Sequence, residues 1–134
     1  MKKLFHISFA TALILCSCKE SDEVQPSFDL TGNYSGTFSR TNVETGWNCV
    51  SDVSLSLSDS TFSGSSEQHY FPAMCAGNIE IGKSTIIFQN TCVWPAHFDW
   101  SLILSEDWNW EGNENQLRIW KDRGNIKDEY LICK

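Results

Sequence analysis

The chain has 134 residues, with 17 Asp and Glu against 10 Lys and Arg, a formal charge of −7, and 41% hydrophobic residues. This length supports one small domain behind any leader, and the negative balance argues against nucleic acid or anionic lipid headgroups as partners. The acidic residues are scattered rather than run together, a pattern that keeps a surface soluble.

In chain order, Lys2 and Lys3 precede an apolar stretch from Leu4 to Leu15. That stretch is shorter than the ~18–20 residues of a spanning helix, so residues 1–17 are expected to be an export leader and not a domain. Leu15-Cys16-Ser17-Cys18 resembles the lipobox of bacterial lipoproteins, although Cys16 stands where Ala, Ser or Thr is more usual. The resemblance implies cleavage before Cys18, a lipid on that cysteine, and attachment to the outer membrane through it. The alternatives are an ordinary secretory peptide, against which no Ala-x-Ala signal is present, and an uncleaved anchor. Residues 18–28 are too polar to pack and are expected to be a tether. Their acidic cluster, Glu20 to Glu23, resembles the surface-export signal of lipoproteins of the Bacteroidota and is explained equally well as a solvated linker. Loss of the leader removes Lys2 and Lys3, leaving eight basic residues against 17 acidic ones.

Four cysteines remain besides Cys18: Cys49, Cys75, Cys92 and Cys133. None forms a C-x-x-C, so a zinc site is disfavoured, and an even set at wide spacing in an exported chain is read as disulfides. Cys75 with Cys92 would tie together the ends of one hairpin, and Cys49 with Cys133 follows by elimination.

From about Asp29 to the end, apolar residues alternate with period two, the signature of half-buried strands. Tyr34, Gly36 and Phe38 share one face of the first strand. Val53, Leu55 and Leu57 alternate with Ser54, Ser56 and Ser58, and Asp59-Ser60 turns into Thr61-Phe62-Ser63. Ile79 and Ile81, a Gly82-Lys83 turn, and Thr85 to Phe88 make a hairpin. Phe98, Trp100, Leu102 and Leu104 predict a further strand, with His97 and Asp99 on its other face. Trp108 and Trp110 follow. Leu117, Ile119 and Lys121 share the next face, and the last strand ends Tyr130-Leu131-Ile132-Cys133.

Evenly spaced strands joined by short turns predict an all-β domain over 29–134. The expected form is a small antiparallel meander barrel of eight or nine strands, with a two-sheet β-sandwich as the alternative. A meander alternates its turns between two ends, which places Cys49, Cys75 and Cys92 at one end; Cys133 joins them if there are nine strands. Gly32-Asn33-Tyr34-Ser35-Gly36-Thr37-Phe38 resembles the first strand of lipocalin-like and related calycin barrels. The stretches Cys92 to Leu104 and Tyr70 to Gly77 resemble segments of small Bacteroidota lipoproteins. That resemblance implies a location and a fold, but no reaction.

Neither G-x-S-x-G nor H-E-x-x-H occurs, and Glu106 and Asp107 are adjacent in a turn, not paired across a cleft. No catalytic residue, metal site or cofactor is assigned. The six tryptophans are the strongest residue clue. Trp100 reads as core and Trp108 with Trp110 as a partly exposed surface. Trp47 and Trp94 sit near cysteines in end loops, where they either pack around a disulfide or line a mouth. A mouth of Trp47, Phe71, Trp94 and His97 would hold a small apolar or sugar-like ligand. The same aromatic rim would equally serve an inhibitor or adaptor acting on an exported enzyme or outer-membrane protein. The chain is therefore expected to bind rather than transform, holding a small apolar or sugar-like ligand at the open end of the barrel, with the protein-binding inhibitor or adaptor as the alternative. A void inside the barrel would favour the ligand, and a filled barrel with exposed aromatic loops would favour the protein.

Overall fold

The computed structural model describes residues 29–134; the expected leader, Cys18 and the tether lie outside the described residues. Eight strands follow in order: β1 (Gly32–Asn42), β2 (Asn48–Leu57), β3 (Thr61–Ser66), β4 (Ala76–Ile81), β5 (Thr85–Asn90), β6 (Glu106–Gly112), β7 (Gln116–Arg123) and β8 (Ile126–Cys133). Each pairs antiparallel with the next and β8 returns to β1, so the sheet is a closed meander barrel and not an open sandwich. Closure gives every strand a partner on each side, which removes the exposed edges that a sandwich must protect.

Alternation sets the interior. Tyr34 and Phe38 of β1 face Val53, Leu55 and Leu57 of β2, Phe62 of β3, Ile79 of β4, Ile86 and Phe88 of β5, Trp108 of β6, Leu117 and Ile119 of β7, and Tyr130 and Ile132 of β8; all are buried. The rings form a continuous column: Trp108 to Tyr130 at 5.3 Å between centroids, Tyr130 to Phe38 at 4.9 Å, and Phe38 to Phe71 at 5.3 Å. Phe62 meets Phe88 edge-on at 5.0 Å. The barrel is filled with its own side chains. Its closing seam depends on Gly36, opposite Ile132, where any Cβ would run into the Leu131 carbonyl.

The predicted strand over Phe98–Leu104 does not form, and this settles the count at eight. Between β5 and β6 the chain runs through 91–105 with a single 3-10 turn, Trp100–Leu102. Asp99 caps that turn by accepting from the Ser101 backbone N–H at 3.0 Å and its hydroxyl at 2.6 Å, a local alternative to ladder pairing. Two tryptophan assignments are exchanged as a result. Trp100 is 58% exposed and is not core, whereas Trp108, opposite Ile86, is 2% exposed and is core. Trp110 also faces inward, packs against the core, and donates from Nε1 to the Gly82 carbonyl. His97 and Asp99 no longer share a strand face.

The disulfide joins Cys75 to Cys92, while Cys49 and Cys133 are free thiols. The expected Cys49–Cys133 bond is ruled out by the register. Cys49 lies opposite Arg40 on one flank of β1 and Cys133 opposite Ser35 on the other, five residues along. Standard strand dimensions put them about 19 Å apart, against the ~7 Å limit for a disulfide. With eight strands, β8 also finishes at the end opposite the other three cysteines.

Alkylating a chain that lacks the leader and Cys18, denatured without reductant, should label Cys49 and Cys133 alone by mass spectrometry; four labels would refute the Cys75–Cys92 bond. Reduction should lower the unfolding free energy in denaturant by about 3 kcal/mol, the scale for a loop of this size, whose cysteines are 17 residues apart.

Candidate functional site: a capped end of the barrel

The connections at the two ends differ in length. One end carries the short turns 58–60, 82–84 and 113–115 together with both termini of the barrel. The other carries 43–47, 67–75, 91–105 and 124–125, so the long segments gather at a single end.

Inside this loop-bearing end the alternation continues past the apolar core into charge. Arg40 extends the Tyr34–Phe38 face, Asp128 precedes Tyr130, and Lys121 extends the Leu117–Ile119 face. Charges removed from water must find partners. Here they form an alternating chain: Asp99 to Arg40 at 3.2 Å, Arg40 to Asp128 at 2.6 Å, Asp128 to Arg123 at 3.5 Å, Arg123 to Glu106 at 3.7 Å, and Glu106 to Lys121 at 2.8 Å. Arg40 and Asp128 are cross-strand partners. Arg40 grips the fully buried Asp128 with two bonds, from Nε at 2.6 Å and Nη2 at 2.7 Å. Its remaining donors reach the Asp99 carboxylate, the Ser101 hydroxyl at 3.1 Å and the Ser101 carbonyl at 3.0 Å. One guanidinium thus closes the β1–β8 seam and pins the long loop across it.

The charges respond accordingly. Burial pulls the Arg40 pKa down, but the hydrogen bonds and charge of Asp128, with Asp99, outweigh it and leave it above the usual arginine value. Hydrogen bonds from Ser101, then the charge of Arg40, hold Asp99 below the usual carboxylate range. Lys121 and then Arg123 do the same for Glu106. Burial, reinforced by the charge of Asp128, drives Tyr130 well above its ordinary value, and its hydroxyl has no hydrogen-bond partner among the described residues. Glu106 itself has a left-handed backbone (φ 67).

Over this charged layer the loops 67–75 and 91–105 form one cap. The Cys75–Cys92 disulfide joins them, and Ala73 bridges in parallel to Ile103, donating to the Leu102 carbonyl at 3.0 Å and accepting from the Leu104 N–H at 3.1 Å. Ala73, Met74, Ile103 and Leu104 are buried beneath. On the outside, Tyr70 meets Trp94 and Phe98 edge-on at 5.5 and 5.4 Å, Trp94 stacks on Phe98 at 5.7 Å, and His69 lies 3.6 Å from Tyr70. Tyr70 has a left-handed backbone (φ 63).

The four residues expected to line a mouth are distributed differently. Phe71 turns inward, edge-on to Phe38. Trp94 joins the outer cluster, its Nε1 donating to Asn90 Oδ1 at 3.2 Å. Trp47 is 53% exposed in the β1–β2 turn, and His97 is exposed on the long loop. Two clefts of about 490 and 530 Å³ lie on the outer wall of β1–β3, floored by serines. Arg40, Asp128, Tyr70 and Phe98 are the residues of this end that sequence reasoning missed. Carrying the inward register two residues further on β1 and two residues back on β8 would have found the first pair.

Among the described residues no group of three or more His, Cys, Asp or Glu side chains is placed to hold a metal ion, and no helix is long and apolar enough to cross a membrane. Comparison of the chain with protein-family models, with curated proteins and with solved structures finds no match.

Asp128→Ala should destabilise the domain by about 3–5 kcal/mol in urea titration, because it strands the Arg40 charge inside. Arg40→Met combined with Asp128→Leu should recover most of that loss, as replacing a buried pair by apolar groups commonly does. The lowered pKa values of Asp99 and Glu106 mean that the unfolded chain takes up protons before the folded one as pH falls. Their contribution is therefore complete at neutral pH and lost progressively below about pH 4, which a series of melting temperatures from neutral to acid pH would register.

Proposed function

We propose that this protein is a lipid-anchored envelope protein that binds a protein partner through the capped end of its barrel. The observation that carries the reading is the filled interior beneath a cap whose outer surface is aromatic. Rings in contact occupy the place where a barrel that carries a ligand would keep a cavity, and the seam above them is plugged by Arg40 and Asp128. Apolar side chains exposed on the loops and their flanks include Trp47, Tyr70, Val93 and Trp100. Exposed aromatic groups on disulfide-held loops are the composition of an interface. An inhibitor or adaptor acting on an exported enzyme or outer-membrane protein is the class this fits, by fold-level analogy with small periplasmic calycin-like inhibitors.

The anchor reading rests on the lipobox resemblance at Leu15 to Cys18. It is supported by geometry, since β1 begins at the end opposite the cap. A lipid N-terminal to β1 would leave the loops facing away from the outer membrane, toward a partner. The second reading is a small apolar or sugar-like ligand stacked on an exposed ring, favoured by Trp47 and Trp100, each more than half exposed.

A photo-cross-linking residue in place of Trp100 should give a covalent adduct of protein mass in the producing cell, while the same residue in place of Ile87 on the outer wall of β5 should not. Adducts equal at both positions, or a saturable change in tryptophan fluorescence with sugars or lipids and no adduct, would overturn the protein-binding reading. Metabolic labelling with palmitate should mark the full chain and not Cys18→Ser, which should also leave the membrane fraction; label retained by that variant would refute the anchor.

A further inference from the structure

The charges around the cap are distributed unevenly. Every cation facing into the loop-bearing end is already engaged: Arg40 with Asp128 and Asp99, Lys121 with Glu106, and Arg123 with both Asp128 and Glu106. Lys127, on the outer wall beside them, is paired with Glu129. At the same end Glu44 of the β1–β2 turn, which accepts from Asn125 Nδ2 beside those cations, makes no ion pair among the described residues, and neither do Asp52 of β2 and Glu67 of the β3–β4 loop, which lie away from them. Lys83 and Lys134, the described cations that make no ion pair with a carboxylate, sit at the far end of the barrel.

Asp52 and Glu67 are neighbours through the backbone. The Glu67 N–H donates to the Asp52 carbonyl at 2.9 Å, and Gln68 Nε2 donates to the Val50 carbonyl at 2.8 Å, so the loop lies along β2. Asp52 and Glu67 both line the outer cleft of about 530 Å³, whose other lining residues are Ser35, Gly36, Val53, Ser54, Ser65 and Ser66, none of them charged. Like charges side by side repel, and the other residues that line the cleft offer no countercharge. Two residues back from Asp52, at Val50, and three on from Glu67, at Tyr70, the surface becomes exposed and apolar, and Tyr70 runs into the Trp94–Phe98 cluster. An aromatic face bordered on one side by uncompensated carboxylates is complementary to one kind of protein surface.

We infer that the partner docked on the cap is a cationic protein, which lays an apolar patch on the Tyr70, Trp94 and Phe98 cluster and places a lysine or arginine in the cleft between Asp52 and Glu67. This rests on the protein-binding reading and gives it a partner chemistry. Rim charges of this kind act chiefly on encounter, by steering the opposite charge, and are screened by salt.

The test uses the full chain and the protein that cross-links at position 100, purified. That partner should carry a net positive charge. Its association rate should fall about tenfold between ~50 and ~300 mM salt, and by a similar factor for Asp52→Asn with Glu67→Gln at low salt, with dissociation little changed. The double variant should melt as the parent does, since neither carboxylate holds an ion pair. An acidic partner, or an association rate indifferent to both the salt and the double variant, overturns the cationic assignment while protein binding stands. Absence of any protein adduct at position 100 overturns both.

Discussion

The pairing of Arg40 with Asp128 is the constraint on which this end of the molecule depends. It sits on the seam where the last strand returns to the first, between residues directly opposite each other, and it is buried on both sides. A buried pair is not strongly stabilising in itself, because desolvation of the two ions offsets most of their attraction. Its value lies in direction. Arg40 has donors left after Asp128 is satisfied, and the 91–105 loop brings the Asp99 carboxylate, the Ser101 hydroxyl and the Ser101 carbonyl to them together. The seam and the cap are thereby specified by the same side chain.

The cap follows from this anchoring. Once Ser101 is fixed, Leu102 and Leu104 reach Ala73 through backbone bonds, and the two long loops become neighbours. The Cys75–Cys92 disulfide restrains the same pair of segments from the other side. A cap held at both ends by polar and covalent bonds has less need of its aromatic residues for cohesion. Some of them can then remain at the surface, as Tyr70 and Trp100 do. Exposed rings on a restrained loop suit recognition because little conformational entropy is lost when they are covered.

Several features of this arrangement were legible in the chain. The alternation in Tyr34 to Phe38, in Val53 to Leu57 and in Leu117 to Ile119 reports strands with one buried face, and their short turns imply a meander. The segment from Phe98 to Leu104 carries the same alternation and is not a strand. Alternation records which residues are apolar, and a turn capped by Asp99 and pinned by Arg40 satisfies the backbone without a ladder. The identity of the buried tryptophan has the same origin. Trp100 and Trp108 look alike in sequence, and only the pairing of Trp108 with Ile86 puts one of them inside.

The sequence by itself determined that the domain is all-β and that Cys75 and Cys92 flank one hairpin, because these depend on local periodicity and on nearby partners, while the closed meander barrel was chosen over a sandwich only by the strand pairing. The tertiary structure alone decided the strand count, and with it the end at which Cys133 finishes, the separation of Cys49 from Cys133, and the residues that seal the barrel. Arg40 and Asp128 are 88 positions apart in the chain, and no local pattern marks either as the other's partner. Only ring closure places β8 against β1, and the cost of leaving a buried charge unpaired then requires that the two meet.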